Sequence, residues 1–421
     1  MKRFRFTLLV LLVVSLVAGT AGCAGSPLVG NVASAADLMD GVSSRTVSGR
    51  AADADFIGSM ADFSIDLFRE SVTAGKNSLV SPLSVTLALA MTANGAQGET
   101  LTQMEQMLGR DIPLDALNEY LYSYVQNLPS QEKSILHIAN SIWLRDDGDR
   151  LQVKPDFLQR NADFYGAAAF RAAFNDQTVK DINAWVSTNT DGMIDKILDR
   201  IEPLDMLYLI NAITFDAEWL SVYYENQIRK SDFTNISGSV QNVDFLFGSE
   251  YAYLEDDLAT GFVKPYAGAY YSFAALLPNE GVTVDDYISS LTGDGFVSMM
   301  ENAQSTLVYT SMPKFEFDYE LSMVNALRAL GMIDAFDSDI ANFSAMGETS
   351  DGALYVGNVI HKTFISVDEL GTRAGAATMV AMAGSAAPID PKVVNLDRPF
   401  LFAIIDNTTN LPIFIGTVLT I

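Results

Sequence analysis

Near the C-terminus, the run from residue 374 to residue 388 carries no charged side chain, and nearly half of it is Ala. Uncharged runs of this length usually belong to a core, because burying apolar surface stabilises a fold. This one would fill a core poorly, and it is shorter than the roughly 20 apolar residues that span a bilayer as a helix. Its glycines and alanines suit an exposed loop equally well. The run therefore fits either a strand or a loop, and we hypothesise that it occupies each at different times.

Charge limits the classes of partner. The 421 residues include 26 Lys and Arg against 52 Asp and Glu. Nucleic-acid binding requires a basic face, so we expect no nucleic-acid partner. The single cysteine allows no intrachain disulfide bond, and two histidines leave little material for a zinc site. We accordingly expect neither a metal nor a cofactor.

The N-terminus has the pattern of a targeting segment. A basic head precedes an apolar body over residues 6–18, which is short for a membrane span and typical of a signal peptide. It ends in Thr-Ala-Gly before Cys23, which resembles a bacterial lipobox except that Thr replaces the usual Leu. We predict a lipoprotein signal peptide over residues 1–22 and lipid attachment at Cys23. The alternative is an ordinary signal peptide with an incidental cysteine.

Residues 23–54 are predicted to be a flexible tether. Their Ala, Ser, Gly and Val content, with no aromatic residue, cannot bury enough surface to fold alone. About thirty flexible residues give a mean span of about 30 Å. The tether would hold a domain, residues 55–421, away from the lipid surface.

Local patterns in that domain indicate an α+β fold. The apolar residues from Phe56 to Phe68 recur at helical spacing, and Ser81-Pro82 is typical of a helix start. Residues 207–215 and 354–367, and later 399–406 and 411–420, are rich in strand-forming residues, with a turn composition at 407–410. A helix is predicted over 321–330. Helices dominate early and strands late, without βαβ alternation, which excludes a doubly wound fold.

A hydrolase is one alternative. Ser81 or Ser84 with His361 and an aspartate would make a triad, but His361 lies on a predicted buried strand. No G-x-S-x-G motif occurs either. A lone histidine on an apolar strand is more often a satisfied core residue than a base.

Seven blocks resemble those of serpins, and they occur in serpin order. They include NSLVSPLSVTLALAMTANGAQGET (77–100), LYVGNVIHKTFISVDELGT (354–372) and DRPFLFAIIDNTTNLPIFIGTV (397–418); the others are 136–147, 182–198, 207–220 and 313–336. The resemblance covers residues 55–421. It implies one domain of about nine helices and three β-sheets. Its large, mostly antiparallel central sheet would accept a reactive-centre loop, here residues 369–391, as an extra strand.

The resemblance also implies a function. Inhibitory serpins are cut in this loop by a serine protease, which becomes acylated on it, and the loop then inserts into the sheet and distorts the attached enzyme. We therefore expect an irreversible protease inhibitor, not an enzyme, whose partner is a serine protease held as a covalent acyl complex. We expect a monomer, lipid-anchored at a bacterial envelope and facing the extracytoplasmic side.

The resemblance assigns roles to particular residues. The serpin shutter, a buried polar cluster under the sheet, matches Ser81, Ser84, Asn211 and His361. The breach at the top of the sheet matches Trp219 and Lys314, and Lys314 is expected to pair with Glu369. The hinge of the loop comprises Glu369, Gly371, Thr372, Ala374, Ala376, Ala377 and Thr378.

Strand alternation supports insertion. One face of the inserted loop would carry uncharged residues at the even positions 372–382, and Arg373 would lie on the other face. A shift of one residue would bury Arg373 at a large cost. Leu370, Arg373 and Gly375 depart from the commonest hinge pattern, and Gly375 would weaken the strand.

In serpins the residue before the cut is usually the seventeenth counting the loop glutamate as first. With Glu369 as first, the resemblance implies cleavage of the Ser385–Ala386 bond, with Met382 and Ala383 as alternatives. The absence of Lys and Arg between 374 and 391 favours elastase-like or subtilisin-like serine proteases over those that need a cation, and a papain-like protease is the less favoured target. The runner-up function is a non-inhibitory serpin that binds or carries a ligand.

Overall fold

Two large β-sheets, with helices around and between them, form the framework of the described residues. The computed structural model describes residues 34–146, 148, 151–202, 205–350, 353–372 and 390–421. The α-helices in these ranges are α1 (Ala54–Ser71), α2 (Pro82–Ala93), α3 (Gly98–Gly109), α4 (Leu114–Asn127), α5 (Pro155–Tyr165), α6 (Asp176–Asn189), α7 (Val284–Ser290), α8 (Gly293–Glu301) and α9 (Val324–Ala329). The strands are β1 (Ala36–Asp37), β2 (Ser78–Val80), β3 (Ser134–Arg145), β4 (Leu151–Val153), β5 (Ala168–Ala172), β6 (Leu207–Glu218), β7 (Ile228–Thr234), β8 (Val240–Glu255), β9 (Ala259–Pro265), β10 (Tyr271–Pro278), β11 (Gln304–Pro313), β12 (Phe315–Ser322), β13 (Gly347–Thr349), β14 (Asn358–Val367), β15 (Gly371–Thr372), β16 (Lys392–Asn395), β17 (Phe400–Asp406) and β18 (Pro412–Val418).

The central sheet has seven strands in the order β1-β5-β3-β6-β15-β14-β12. Most neighbours are antiparallel, whereas β3–β5 and β6–β14 are parallel. The second sheet follows the order β16-β11-β8-β9-β10-β17-β18-β2, with β7 paired to β8, and β13 and β4 form a small third sheet. The predicted α+β class, with nine α-helices and three sheets in the described ranges, is confirmed.

Helix α2 lies inside the molecule, and all of its residues are buried. Ser81 is its N-cap and accepts a hydrogen bond from the backbone N–H of Ser84, while Pro82 occupies the first helical position. The helix contacts β3 and β6 of the central sheet and β18 of the second sheet. Ser81, at the N-terminus of α2, therefore lies under the central sheet.

Helix α6 covers the opposite face of the central sheet. Trp185 on this helix packs in a buried cluster with Tyr208, Ile210 and Ile360, which point to that face from β6 and β14. Residues on β6 therefore alternate between the α6 face and the α2 face, as strand geometry requires. The alternation places Asn211 and Ala217 on the face away from α6.

The N-terminal segment differs from the prediction. Residues 34–53 fell within the predicted flexible tether, but β1 pairs with β5 at the edge of the central sheet. The guanidinium of Arg45 donates two hydrogen bonds to Asp163 on α5, and Ser34 binds Asp181 on α6. Composition could not reveal this order, because the segment is held by a sheet edge and by carboxylates distant in the sequence. The rest of the predicted tether, residues 23–33, lies outside the described residues.

Two boundaries also differ. The helix predicted over 321–330 is shorter, since α9 spans Val324–Ala329 and residues up to Ser322 belong to β12. Strand β14 begins at Asn358, four residues after the predicted start. In both places apolar residues fit helix and strand alike, and tertiary pairing decides.

Candidate functional site

The central sheet is parted at one end, between β6 and β14. These strands pair directly from Tyr208 with Asn358 to Ala212 with Lys362. Further along, the short strand β15 lies between them: Thr372 pairs with Ala217 on β6 and with Val367 on β14. The residues that begin the predicted loop are therefore already a strand of the sheet at this end, which we call the top.

Close packing explains the residues of β15. A Cβ atom on Gly371 would lie 2.0 Å from the carbonyl oxygen of Ala217, so glycine is required there. The Thr372 side chain is 2% exposed, and its hydroxyl hydrogen-bonds the hydroxyl of Tyr266. Position 372 thus points into the core, the orientation that the alternation argument requires.

Trp219 closes the top of the sheet. Its indole stacks on Tyr266 with ring centroids 4.6 Å apart and meets Phe273 edge-on. Its indole N–H donates to the carbonyl of Asp368 at 2.9 Å, and its backbone N–H donates to that of Leu370 at 2.8 Å. The structure therefore places Trp219 against the chain that leads into the loop.

Lys314 and Glu369 lie together at this end. The ammonium of Lys314 donates to the Glu369 carboxylate, and each side chain is about one-third exposed. This hydrogen bond, opposed by partial burial, lowers the pKa of Glu369. Such partly exposed pairs contribute about 0–1 kcal/mol, so the pair positions the loop base more than it stabilises the fold.

A buried polar cluster lies below the parted end. The backbone N–H of Ser81 donates to Nε2 of His361 at 3.0 Å, and Nδ1 of His361 is 2.7 Å from Oδ1 of Asn211. Because Nε2 accepts, the proton lies on Nδ1 and donates to Asn211. The amide of Asn211 in turn donates to Asn140 on β3 at 2.8 Å. Three of the four predicted shutter residues are thus linked in one chain of hydrogen bonds across β6 and β14.

Ser84 is placed differently. Its backbone N–H donates to the Ser81 hydroxyl, but its own hydroxyl has no hydrogen-bond partner within the described residues. The Ser81 hydroxyl donates to the carbonyl of Ile413 at 2.8 Å. His361 therefore accepts a hydrogen bond from the backbone N–H of Ser81 and none from a serine hydroxyl that could act as a nucleophile. Ser81, Ser84 and His361 are all buried. This geometry rules out the triad considered from the sequence.

Burial keeps His361 neutral. The residue is 0% exposed, and burial lowers its pKa from 6.5 to about 3. A neutral imidazole can donate with one nitrogen and accept with the other, which is how it links Asn211 to Ser81. The side-chain contact between Asn211 on β6 and His361 on β14 is thus an uncharged hydrogen bond.

Three residues of this region were missed from the sequence: Asn140, Tyr266 and Lys264. Lys264 is 3% exposed and pairs with Glu250. The available signal was Lys264, the one charged residue of strand β9; Glu250 gave no signal, because β8 also carries Asp244 and Glu255. The other two look like common strand residues and gain their roles only through pairing distant in sequence.

Several predicted residues lie outside the described ranges. They are Cys23, the hinge positions Ala374, Ala376, Ala377 and Thr378, and the candidate cleavage positions Met382, Ala383, Ser385 and Ala386. Among the helices that the structure does describe, none has the length and apolar content to cross a membrane.

Comparison with known proteins agrees with this fold. The family model for Serpin (serine protease inhibitor) matches residues 58–421. The chain belongs to the serpin family. Curated relatives include an uncharacterized serpin-like protein of Thermococcus kodakarensis, 29% identical over 86% of this chain and 84% of its own length, and Serpin B8 of Homo sapiens, 31% identical over 84% and 96%.

Solved structures give a closer match. The native-state structure of tengpin, a thermophilic serpin, is 52% identical, covers 92% of this chain and 100% of that one, and has a TM-score of 0.89. The latent-state structure of tengpin covers 89% of this chain and 100% of that one, is 49% identical and has a TM-score of 0.79. The present structure therefore resembles the native state of this serpin more than its latent state. Serpins are generally protease inhibitors and not enzymes.

Proposed function

We propose that this serpin is an irreversible suicide-substrate inhibitor of elastase-like or subtilisin-like serine proteases. The observation that carries the proposal is β15, since the loop base already lies between β6 and β14 with Thr372 buried. After cleavage, the loop residues that follow Thr372 would extend β15 between β6 and β14, away from the top. The chain between Thr372 and the cut then becomes the missing part of a sheet strand.

The register of β15 supports this continuation. Because β15 is antiparallel to both neighbours, each step along the loop moves one residue back along β6 and one back along β14. Thr378 then falls opposite Asn211 and opposite His361 at once. It would enter between the two side chains now joined by a 2.7 Å contact, on the face they occupy. Its hydroxyl both donates and accepts, so it could replace that hydrogen bond on each side.

The outward face also fits. The same register places Arg373 beside Asp216 on β6, so the one cation of the inserting segment would meet a carboxylate. The even positions would face the core with small or apolar side chains. A face without charge is what a buried strand requires.

The reaction follows from acyl transfer. The protease serine attacks the carbonyl carbon of Ser385, an ester forms, and the Ser385–Ala386 peptide bond breaks. The amine of Ala386 leaves as the new N-terminus of fragment 386–421. Trapping requires that insertion precede attack by water on the ester.

Strand length supports a cut near Ser385. In the continued register Met382 would pair with Leu207, the first residue of β6, at the bottom of the sheet, which is the end opposite the top. Ser385 would lie three residues beyond the sheet, about 44 Å below Thr372 at about 3.4 Å per residue. An attached protease would thus be carried past the bottom of the sheet. After a cut at Met382, the attached protease would instead lie against the ends of the strands at the bottom of the sheet.

The test is to mix the chain with pancreatic-type elastase or with subtilisin and to analyse the products by denaturing gel and intact mass. We expect a covalent species with the mass of both proteins minus fragment 386–421, and Ala386 as the new N-terminus. Arg373→Ala serves as a matched loop variant that should still trap. A nicked loop with fully active protease would refute inhibition and leave the binding or carrier function.

We also propose that Cys23 carries lipid and anchors the inhibitor outside the cytoplasmic membrane of a bacterial cell. The lipobox-like sequence before Cys23 supports this, and the packing of residues 34–53 would hold the domain near the bilayer. As the flexible linker that the sequence predicts, residues 24–33 would have a mean reach of about 18 Å. Cys23→Ser should move the protein from the membrane fraction to the soluble fraction. Equal incorporation of labelled fatty acid into the wild-type chain and the variant would refute the lipid anchor.

A further inference from the structure

A buried ion pair lies directly behind the top of the parted sheet. Lys264, on β9, is 3% exposed, and its ammonium donates to Glu250 on β8 at 2.8 Å and to the carbonyl of Ser221 at 3.1 Å. The same ammonium lies 4.4 Å from the ring centroid of Tyr223 and 5.3 Å from that of Trp219. One cation therefore ties two strands of the second sheet to the segment 219–223 that follows β6.

Stability alone does not explain this pair. Removing two charges from water costs about as much as their attraction returns, and apolar residues of similar size often serve equally well. Burial alone would lower the pKa of Lys264, but neighbouring Tyr223 and Glu250 outweigh it and raise that pKa, so the ammonium stays charged. What the charge adds is a fixed position for the groups around it, because an ammonium needs its acceptors in defined places.

The segment held by Lys264 grips the base of the loop. The backbone N–H of Tyr223 donates to the carbonyl of Glu369 at 2.9 Å, and that of Trp219 donates to Leu370 at 2.8 Å. The indole N–H of Trp219 donates to Asp368. Lys264 thus contacts Trp219 and Tyr223, the two residues that hydrogen-bond to residues 368–370.

The position of this grip relates it to sheet opening. Segment 219–223 continues β6, which must separate from β14 for the loop to enter. Lys264 and Glu250 belong to the second sheet, so they fix the top end of β6 to a part of the molecule outside the central sheet. Freeing that end would let β6 move sideways and widen the gap in which β15 already lies.

We propose that Lys264, held by Glu250, is a positioning residue that keeps the uncut loop from entering the central sheet before a protease acts. The inference rests on the loop insertion of the proposed function. It assigns the control of when the loop inserts to the Lys264–Glu250 pair, which belongs to none of the shutter, breach and hinge residues. Without the pair, the intact loop inserts spontaneously and the inhibitor loses its active form.

The experiment incubates the full chain without any protease, at a temperature below its unfolding midpoint. The fraction converted to a more heat-stable form is followed by thermal unfolding. We expect Lys264→Met to convert at least about tenfold faster than wild type, about 1.4 kcal/mol of barrier. Lys133→Met is the matched control, since Lys133 pairs with Glu218 at the same end of β6 but is partly exposed and belongs to the central-sheet side. It should convert at the wild-type rate.

A second variant separates positioning from folding. Glu250→Leu with Lys264→Met removes both charges and leaves no unpaired carboxylate, so it should fold with a stability near that of wild type. It should still convert faster. The proposal would be overturned if this double variant converts at the wild-type rate. It would also be overturned if neither the double variant nor wild type converts. The assay contains no protease, so a failure to trap proteases would refute the proposed function separately.

Discussion

The two ends of the boundary between β6 and β14 are built differently. At the top, β15 separates the strands, and rings and ion pairs surround it: Trp219 stacks on Tyr266, and Lys314 pairs with Glu369. Lower down the strands pair directly, and their side chains meet in one neutral hydrogen bond between His361 and Asn211. The top therefore already contains a short strand between β6 and β14, whereas lower down the two strands are direct neighbours.

The difference indicates a direction for opening. In the proposed insertion, a strand that extends β15 would pass the shutter after six residues, so the hydrogen bond of His361 would be an intermediate barrier. Because this bond is uncharged, its separation would leave no buried ion behind, and in the proposed inserted state the hydroxyl of Thr378 would replace it. An ion pair at that position would make opening far more costly.

Thr372→Arg should have the largest effect. An arginine cannot be buried beside Tyr266 without a partner, so β15 would leave the sheet and the cut loop would not insert. We expect the molar ratio of inhibitor to protease needed for full inhibition to rise at least about tenfold, since an unpaired buried charge costs about 3–5 kcal/mol. Titration of protease activity measures this ratio. An unchanged ratio would mean that position 372 does not enter the sheet, and Arg373→Ala is the control on the outward face.

His361→Leu should weaken the lower part of the boundary. The backbone N–H of Ser81 would lose its acceptor, and the side-chain carbonyl oxygen of Asn211 would lose its donor, both in the core. We expect the free energy of unfolding to fall by about 2–4 kcal/mol. His137→Leu, at the partly exposed second histidine, should change it by less than about 0.5 kcal/mol in chemical denaturation. Equal effects of the two substitutions would contradict a special role for the shutter histidine.

The neutral shutter also predicts a pH dependence. His361 has a folded-state pKa of about 3, below its ordinary value of 6.5, so the unfolded chain binds more protons between these values. Its contribution to stability is therefore complete above pH 6.5 and is lost as the pH falls. We expect wild type to lose up to about 1.4 kcal/mol per pH unit more than His361→Gln between pH 6 and pH 4. Urea unfolding across this range checks the difference, and parallel slopes would refute it.

Lys314→Ala should have the smallest effect. Its ion pair with Glu369 is about one-third exposed, so we expect a loss of about 0–1 kcal/mol in the free energy of unfolding. Lys230→Ala, which removes a more exposed pair with Asp244, is the control. A loss above about 2 kcal/mol at Lys314 alone would show that the top is held by this pair and not by Trp219 and Tyr266.

Local signals predicted one part of this comparison well and another poorly. Ser81-Pro82 marked the start of α2, and the composition of residues 207–215 marked β6, because capping and strand propensity act within a few residues. The positions of Asn211 and His361 came from the resemblance to serpins. Packing at the top depended on partners distant in the sequence, so Tyr266 and the Lys264–Glu250 pair were missed. The order of residues 34–53 was missed for the same reason.

The most direct test of loop insertion between β6 and β14 is to cut the loop with a protease that is then released. A papain-like protease that nicks the loop and leaves would produce a cut chain free of enzyme, and its thermal unfolding can be compared with that of the intact chain. We predict that the midpoint rises by more than about 10 °C, because a new central strand adds pairing on both sides. The nicked Thr372→Arg variant should show no such rise. An unchanged midpoint after complete cleavage of the wild-type chain would contradict insertion between β6 and β14.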